Sequence, residues 1–189
     1  MSDSCIDLVQ LDATDDPDQA QHLQRWLRER AWTRAAEAEF KAPHPTTSES
    51  GLLRLTDALA PKGMQLLRNE PRGEIAVTIT SGWRAYTATA NYEPPACPAC
   101  GERAEPIIGA ESADPFIEVV GSWWETRVAP EHTCPLCDHR AVITDWNLDN
   151  AVACSSLAIT AEMYGAENDL RQELEGEFGG QWATMHEHI

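Results

Sequence analysis

Glu74-Ile75-Ala76-Val77-Thr78-Ile79-Thr80, then Ser81-Gly82, then Trp83-Arg84-Ala85-Tyr86-Thr87-Ala88-Thr89-Ala90-Asn91-Tyr92 lead within a few residues into Cys97-Pro98-Ala99-Cys100-Gly101. The two longer segments are rich in β-branched and aromatic residues, and Ser-Gly between them is turn chemistry. The stretch therefore predicts a β-hairpin turning at Ser81-Gly82. A second cysteine pair, Cys134-Pro135-Leu136-Cys137-Asp138, repeats the first. Two residues between cysteines let both thiolates of a tight turn point at one ion, and the following Gly101 or Asp138 tolerates the left-handed backbone that such turns use. Four thiolates saturate a tetrahedral Zn²⁺, so Cys97, Cys100, Cys134 and Cys137 are expected to hold one structural zinc per chain. The 33 residues from 101 to 133 exceed the roughly 15–20 of the compact pattern. They leave room for a loop and a short helix or strand.

Downstream of the second knuckle, Ala141-Val142-Ile143-Thr144-Asp145-Trp146 reads as a short strand leaving the metal. Residues 151–163 fit either periodicity: Leu157 and Ile159 alternate, while Leu148, Val152, Ile159 and Met163 sit near helical spacing. Glu167 to Phe178 predicts a helix with Leu170, Leu174 and Phe178 on one stripe, ended by Gly179-Gly180. Gln181 to Ile189 alternates like a final strand, so the C-terminal third reads as strand, helix, strand. Upstream, residues 1–18 predict a short strand or arm with a solvated acidic tip. Asp16 and Pro17 then open a helix whose three- and four-residue steps run to about Phe40. Pro43 to Gly51 is a polar loop, and Leu52 to Leu67 supplies one strand and one short helix, broken at Pro61 and Gly63.

The order hairpin, Cys97-Pro98-Ala99-Cys100-Gly101, Trp-containing insertion, Thr133-Cys134-Pro135-Leu136-Cys137, Ile143-Thr144-Asp145-Trp146 and strand–helix–strand ending resembles uncharacterised zinc-ribbon-containing proteins of GC-rich bacteria. The resemblance covers about residues 75–189. It implies architecture and a bacterial source, and no activity. The expected fold class is α+β: a small antiparallel sheet with flanking helices and an embedded four-cysteine, zinc-ribbon-like element. A division follows into an N-terminal helical segment, 1–70, packed on a core of 71–189 that carries the knuckles.

The chain has 189 residues, 14 basic and 31 acidic, for a formal charge of −17. A hydrophobic fraction of 42% and seven tryptophans exclude a disordered acidic segment. The charge disfavours nucleic acid, whose phosphates are bound by displacing counterions with Lys and Arg, and favours a basic protein partner. No run approaches a membrane span, and acids at Met1-Ser2-Asp3-Ser4 stand where a secretory signal carries basic residues, which points to the cytoplasm. The acid gathers at the two ends of the sequence. Between Arg25 and Lys41, by contrast, five basic residues face three acidic ones, a solvated face or a surface for an acidic partner. If a basic partner docks, the C-terminal helix with Glu167, Asp169, Glu173, Glu175 and Glu177 is the expected surface.

Other chemistry is thin. His132 and His139 flank the second knuckle as surface residues or stand-ins for a thiolate, and Cys5 and Cys154 read as buried free thiols. His186 and His188 share a strand face in chelate geometry without an evident third ligand. Ser155-Ser156 lacks a nucleophile elbow, no phosphate loop or His-Glu-x-x-His helix occurs, and Asp114, Glu118, Glu125 and Glu131 are acids in an acid-rich chain. Trp123-Trp124, taken as extended, would place one ring inside and one outside. Arg103, His132, His139 and Arg140 at the knuckle tips are offset by Glu102, Glu105, Glu131 and Asp138. The expected function is a non-enzymatic, zinc-stabilised acidic interaction module that neutralises a basic bacterial toxin, as immunity proteins and antitoxins do. A nucleic-acid-associated regulatory zinc ribbon is the alternative, and a metal-dependent hydrolase the third reading.

Overall fold

A computed structural model describes residues 4–36, 52–66, 75–88, 91–103, 115–161 and 167–188. The elements in order are β1 (Ser4–Gln10), α1 (Pro17–Glu29), β2 (Thr33–Ala35), β3 (Leu53–Leu59), β4 (Ala76–Thr87), α2 (Pro115–Thr126), β5 (Glu131–Thr133), β6 (Arg140–Val142), β7 (Val152–Ala161), α3 (Glu167–Phe178) and β8 (Trp182–His188). Six strands form one antiparallel sheet in the order β2-β3-β4-β7-β1-β8, and β5-β6 form a separate two-stranded ribbon. The α+β class is as expected, although the sheet is larger. Strands from both sides of residue 70 interleave in it: β1 lies between β7 and β8, and β3 lies beside β4.

Alternation along the strands splits the core in two. Ile6, Leu8, Val77, Ile79, Leu157, Ile159 and Trp182 face one side, where Leu23 and Leu27 of α1 and Leu170 and Leu174 of α3 cover them. Val9, Ala158, Ala183 and Met185 face the other side, under α2 and the cysteine knuckles. One-residue steps between neighbours such as Leu8 and Val9 send side chains to opposite faces, so both faces of the sheet are buried.

Ser81-Gly82 is not a hairpin turn. Both residues lie inside the single strand β4, where pairing shifts from Ser81 opposite Leu157 to Arg84 opposite Ser155. β4 spends one extra residue there, and Gly82 takes φ 123°. A glycine within a strand pattern marks a bulge as readily as a turn, and here the long partner β7 keeps the two halves collinear. β7 resolves the 151–163 ambiguity as strand up to Ala161, with 162 and 163 outside the described residues.

α1 starts where expected, with the Asp16 carboxylate accepting from the Asp18 N–H at 2.9 Å and Pro17 in the first turn. It ends at Glu29, well short of Phe40. Ala31 turns left-handed at φ 59°, Trp32 enters the core and Thr33 begins a strand on β3. Tertiary burial of Trp32 overrides the helical spacing of Arg30, Ala31 and Arg34, because apolar burial outweighs a weak local propensity. Gly63 allows the chain to close beneath it: a Cβ there would collide with the Trp32 carbonyl oxygen. The expected loop 43–51 lies outside the described residues. No helix among the described residues is long and apolar enough to cross a membrane.

Candidate metal centre

Each cysteine pair is built by the same backbone device. The Gly101 N–H donates to the Cys97 carbonyl and the Asp138 N–H to the Cys134 carbonyl; Gly101 and Asp138 take φ 75° and 58°. Ala99 and Leu136 N–H groups approach the Cys97 and Cys134 sulfurs, each at 3.4 Å. Amides aimed at sulfur favour thiolate over thiol. β5 and β6 flank the second knuckle as a hairpin, while Ala96 and Asn147 exchange backbone hydrogen bonds and so clamp the first knuckle to the chain leaving the second. Of the expected outgoing strand only Ala141 and Val142 are strand, as the end of β6. Ile143–Asp145 winds into a 3₁₀ turn that buries Ile143.

This clamp brings the four sulfurs together. All lie within 4.8 Å of one another, with Cys97–Cys137 at 3.7 Å and Cys100–Cys134 at 3.9 Å. Four ligands about 2.3 Å from one tetrahedral ion are spaced about 3.8 Å apart. The spacing fits one shared ion better than a polynuclear iron–sulfur cluster, whose thiolates bind different irons. Cys97 and Cys134 are buried, whereas Cys100 and Cys137 face outward.

Crowding also sets the acidities. Burial opposes ionisation of Cys97, but the Cys100 and Ala99 amides and the neighbouring thiols outweigh it and bring the group down to about 7. At Cys137 the His139 amide favours the thiolate, yet burial and the other three sulfurs together push it up to about 12. Negative charges this close cannot all form without a cation among them.

The other expected residues fall elsewhere. His132 packs its ring 4.8 Å from Trp146 and 6.0 Å from Phe116, and His139 is exposed. Neither belongs to the four-sulfur cluster. Cys5 and Cys154 are buried, and burial raises the Cys154 thiol to about 12. Ser155 donates to the Gln10 carbonyl and accepts from the Leu157 N–H, so its hydroxyl serves the backbone at the bulge. His186 contacts Asn150 and Glu167, while the side chain of His188 and all of Asp114 lie outside the described residues. Glu118 and Glu125 are exposed and Glu131 pairs with Arg140. Trp123 and Trp124 divide inside and outside as expected, but on helix α2 rather than a strand. Adjacent helical side chains diverge by about 100°, which buries Trp123 and leaves Trp124 43% exposed against Trp83.

The acids of α3 are engaged within the chain. Glu173 accepts from Lys62 at 2.7 Å and from the Trp32 indole N–H at 2.9 Å. The Lys62 hydrogen bond holds its carboxyl below the usual range, against a smaller effect of burial. Glu175 pairs with Arg171, Glu177 approaches Arg30 and Glu167 approaches His186. Asp169 alone of the five has no such pair among the described residues. Two of the basic residues after Arg25 are spent the same way, Arg30 on Glu177 and Arg28 on Asp57. Arg28 binds Asp57, a fully buried carboxylate that also accepts from Gln24 and Thr33, both at 2.9 Å.

Sequence reasoning missed a cleft of about 350 Å³ between the first knuckle and β8, bordered by Cys97, Gly101, Asp145, Asp149, Arg171 and Gln181. Its parts are far apart in sequence, and no motif marks it. No family model, curated protein or solved structure matches the chain, so the centre is read from its own chemistry.

Proposed function

We propose that this chain is an acidic, non-enzymatic interaction module built on a structural zinc centre, and that it binds and blocks a basic bacterial toxin as an immunity or antitoxin-type inhibitor. Zinc is favoured by four soft thiolates in tetrahedral spacing, and four protein ligands leave no coordination position for water or substrate. The observation that carries the reading is where unpaired acid lies. Asp12, Asp16, Asp18, Glu29, Glu102, Glu118, Glu125, Asp138, Asp145 and Asp169 are exposed and have no ion pair among the described residues, and two of them, Asp12 and Asp145, flank the cleft. Asp12 sits against Gly180, next to the Gln181 that borders the cleft, and Asp145 borders the same cleft. We place the docking surface at the acidic turn around Asp12 and at the first knuckle rather than on α3, four of whose five acids already have a partner within the chain. Complementary charge there would steer a basic protein and reject like-charged ones.

The test has two arms. Purified chain is expected to carry about one zinc, and to form a salt-sensitive complex with the basic product of a neighbouring reading frame while ignoring duplex DNA and RNA. The zinc reading fails if the metal content is well below one. The inhibitor reading fails if no neighbouring frame encodes a toxin-like protein and no stable partner is recovered.

A further inference from the structure

Among the described residues β8 is the outer strand of the sheet, paired on one side with β1 from Ser4 opposite His188 to Gln10 opposite Trp182. It is built like an interior strand: Trp182, Ala183, Thr184 and Met185 are all buried. An outer strand of this kind offers its remaining N–H and C=O groups to any chain that can extend the ladder.

At Thr184 and His186 those groups are taken. The Thr184 N–H donates to Asp149 Oδ1 at 2.8 Å, and the Thr184 carbonyl accepts from the Asn150 N–H at 2.8 Å. The His186 N–H donates to Asn150 Oδ1 at 3.0 Å, and the His186 carbonyl accepts from Asn91 Nδ2 at 2.9 Å. Asn150 Oδ1 also meets His186 Nδ1 at 2.8 Å. The turn is itself braced. Arg171 grips both Asp149 oxygens at 2.9 and 3.0 Å and is held by Glu175 at 3.1 Å, while Asn150 adopts φ 59°, a left-handed conformation that asparagine tolerates. Three side chains and one backbone amide thus satisfy the middle of the edge, at Thr184 and His186, without presenting a ladder of their own.

We propose that the Asp149–Asn150 turn, together with Asn91, is an edge guard that withholds β8 from antiparallel pairing with β8 of a second copy of this chain. Two identical edges are self-complementary under a two-fold axis, which makes a second copy the partner always at hand. The rival account is that a net charge of −17 keeps copies apart unaided. Salt distinguishes them, since at about 1 M the screening length falls to about 3 Å.

The experiment uses the full chain with Asp149→Ala, Asn150→Gly and Asn91→Ala combined; glycine keeps the left-handed turn and removes only the acceptor. Light scattering at low and high salt is expected to show the parent at one constant mass and the variant doubling with concentration at high salt. A folded variant of unchanged mass at every concentration, or a parent that associates once its charge is screened, overturns the proposal. If the triple variant does not fold, Asn150→Gly alone is read by hydrogen exchange. The His186 amide is expected to exchange at least about tenfold faster, one factor of ten being about 1.4 kcal/mol. An unchanged rate overturns the guard.

Discussion

The two faces of the sheet hold their covering layers by different means. On one, α1 and α3 bury a continuous apolar cluster, sewn at its margins by Arg28–Asp57 and by Lys62 and Trp32 on Glu173. On the other, α2 and the short ribbon β5-β6 also cover apolar side chains, but Cys97 and Cys134 sit within that cluster. A ribbon with strands of three residues is marginal unaided, so a metal held by the four cysteines would tie down the second face in a way the first does not need. Stability is therefore unevenly distributed, and the difference can be tested.

The largest effect is expected from the metal. A strong chelator or Cys134→Ser removes binding free energy on the order of 10 kcal/mol, and hydrogen exchange should lose protection in β5, β6 and α2 while α1 and β7 keep theirs. Simultaneous loss on both faces would break the comparison. Because the thiols of the metal-free chain include one near 12 at Cys137, metal uptake must expel protons. Apparent affinity should therefore fall with falling pH, about tenfold per unit for each proton expelled.

Next comes Arg28→Ala, which leaves the buried Asp57 carboxylate without its cation. A loss of about 1–3 kcal/mol in urea unfolding is expected, because Asp57 is buried while Arg28 is partly solvated, with metal content unchanged. An effect under 1 kcal/mol would show that Gln24 and Thr33 suffice. Lys62→Ala should be smallest, under about 1 kcal/mol, because both partners are partly solvated. Its sign with pH is fixed by Glu173, whose carboxyl is lowered in the folded chain. That contribution is complete above the ordinary carboxylate range and fades as pH falls through the folded value. The parent and variant melting curves should accordingly converge in acid.

What was legible in the sequence was local. The knuckles follow from two-residue spacing and a residue that tolerates positive φ, and α3 follows from its Leu170–Leu174 stripe and the glycines behind it. The misreadings share one cause, a distant partner. Ser81-Gly82 carries the residues of a turn and becomes a bulge because β7 lies alongside. α1 stops early because Trp32 and Thr33 have a core and a strand to join. Glu173, Glu177 and Glu175 of α3 look free in sequence and are bound by Lys62, Arg30 and Arg171 in space. Charge placement along a chain does not reveal which charges the fold has already neutralised.

The place of β1 has a consequence for the making of the molecule. Its two neighbours are β7, with Ile6 opposite Ala161, and β8, with Ser4 opposite His188. At about 5–20 residues per second, β1 precedes even β7, the earlier of its two neighbours, by roughly 7 to 30 seconds, holding the fully buried side chains of Leu8 and Val9 with neither permanent neighbour yet made. Pairing over such separations is slow, so during synthesis this strand is the segment most exposed to capture by a chaperone or another nascent chain.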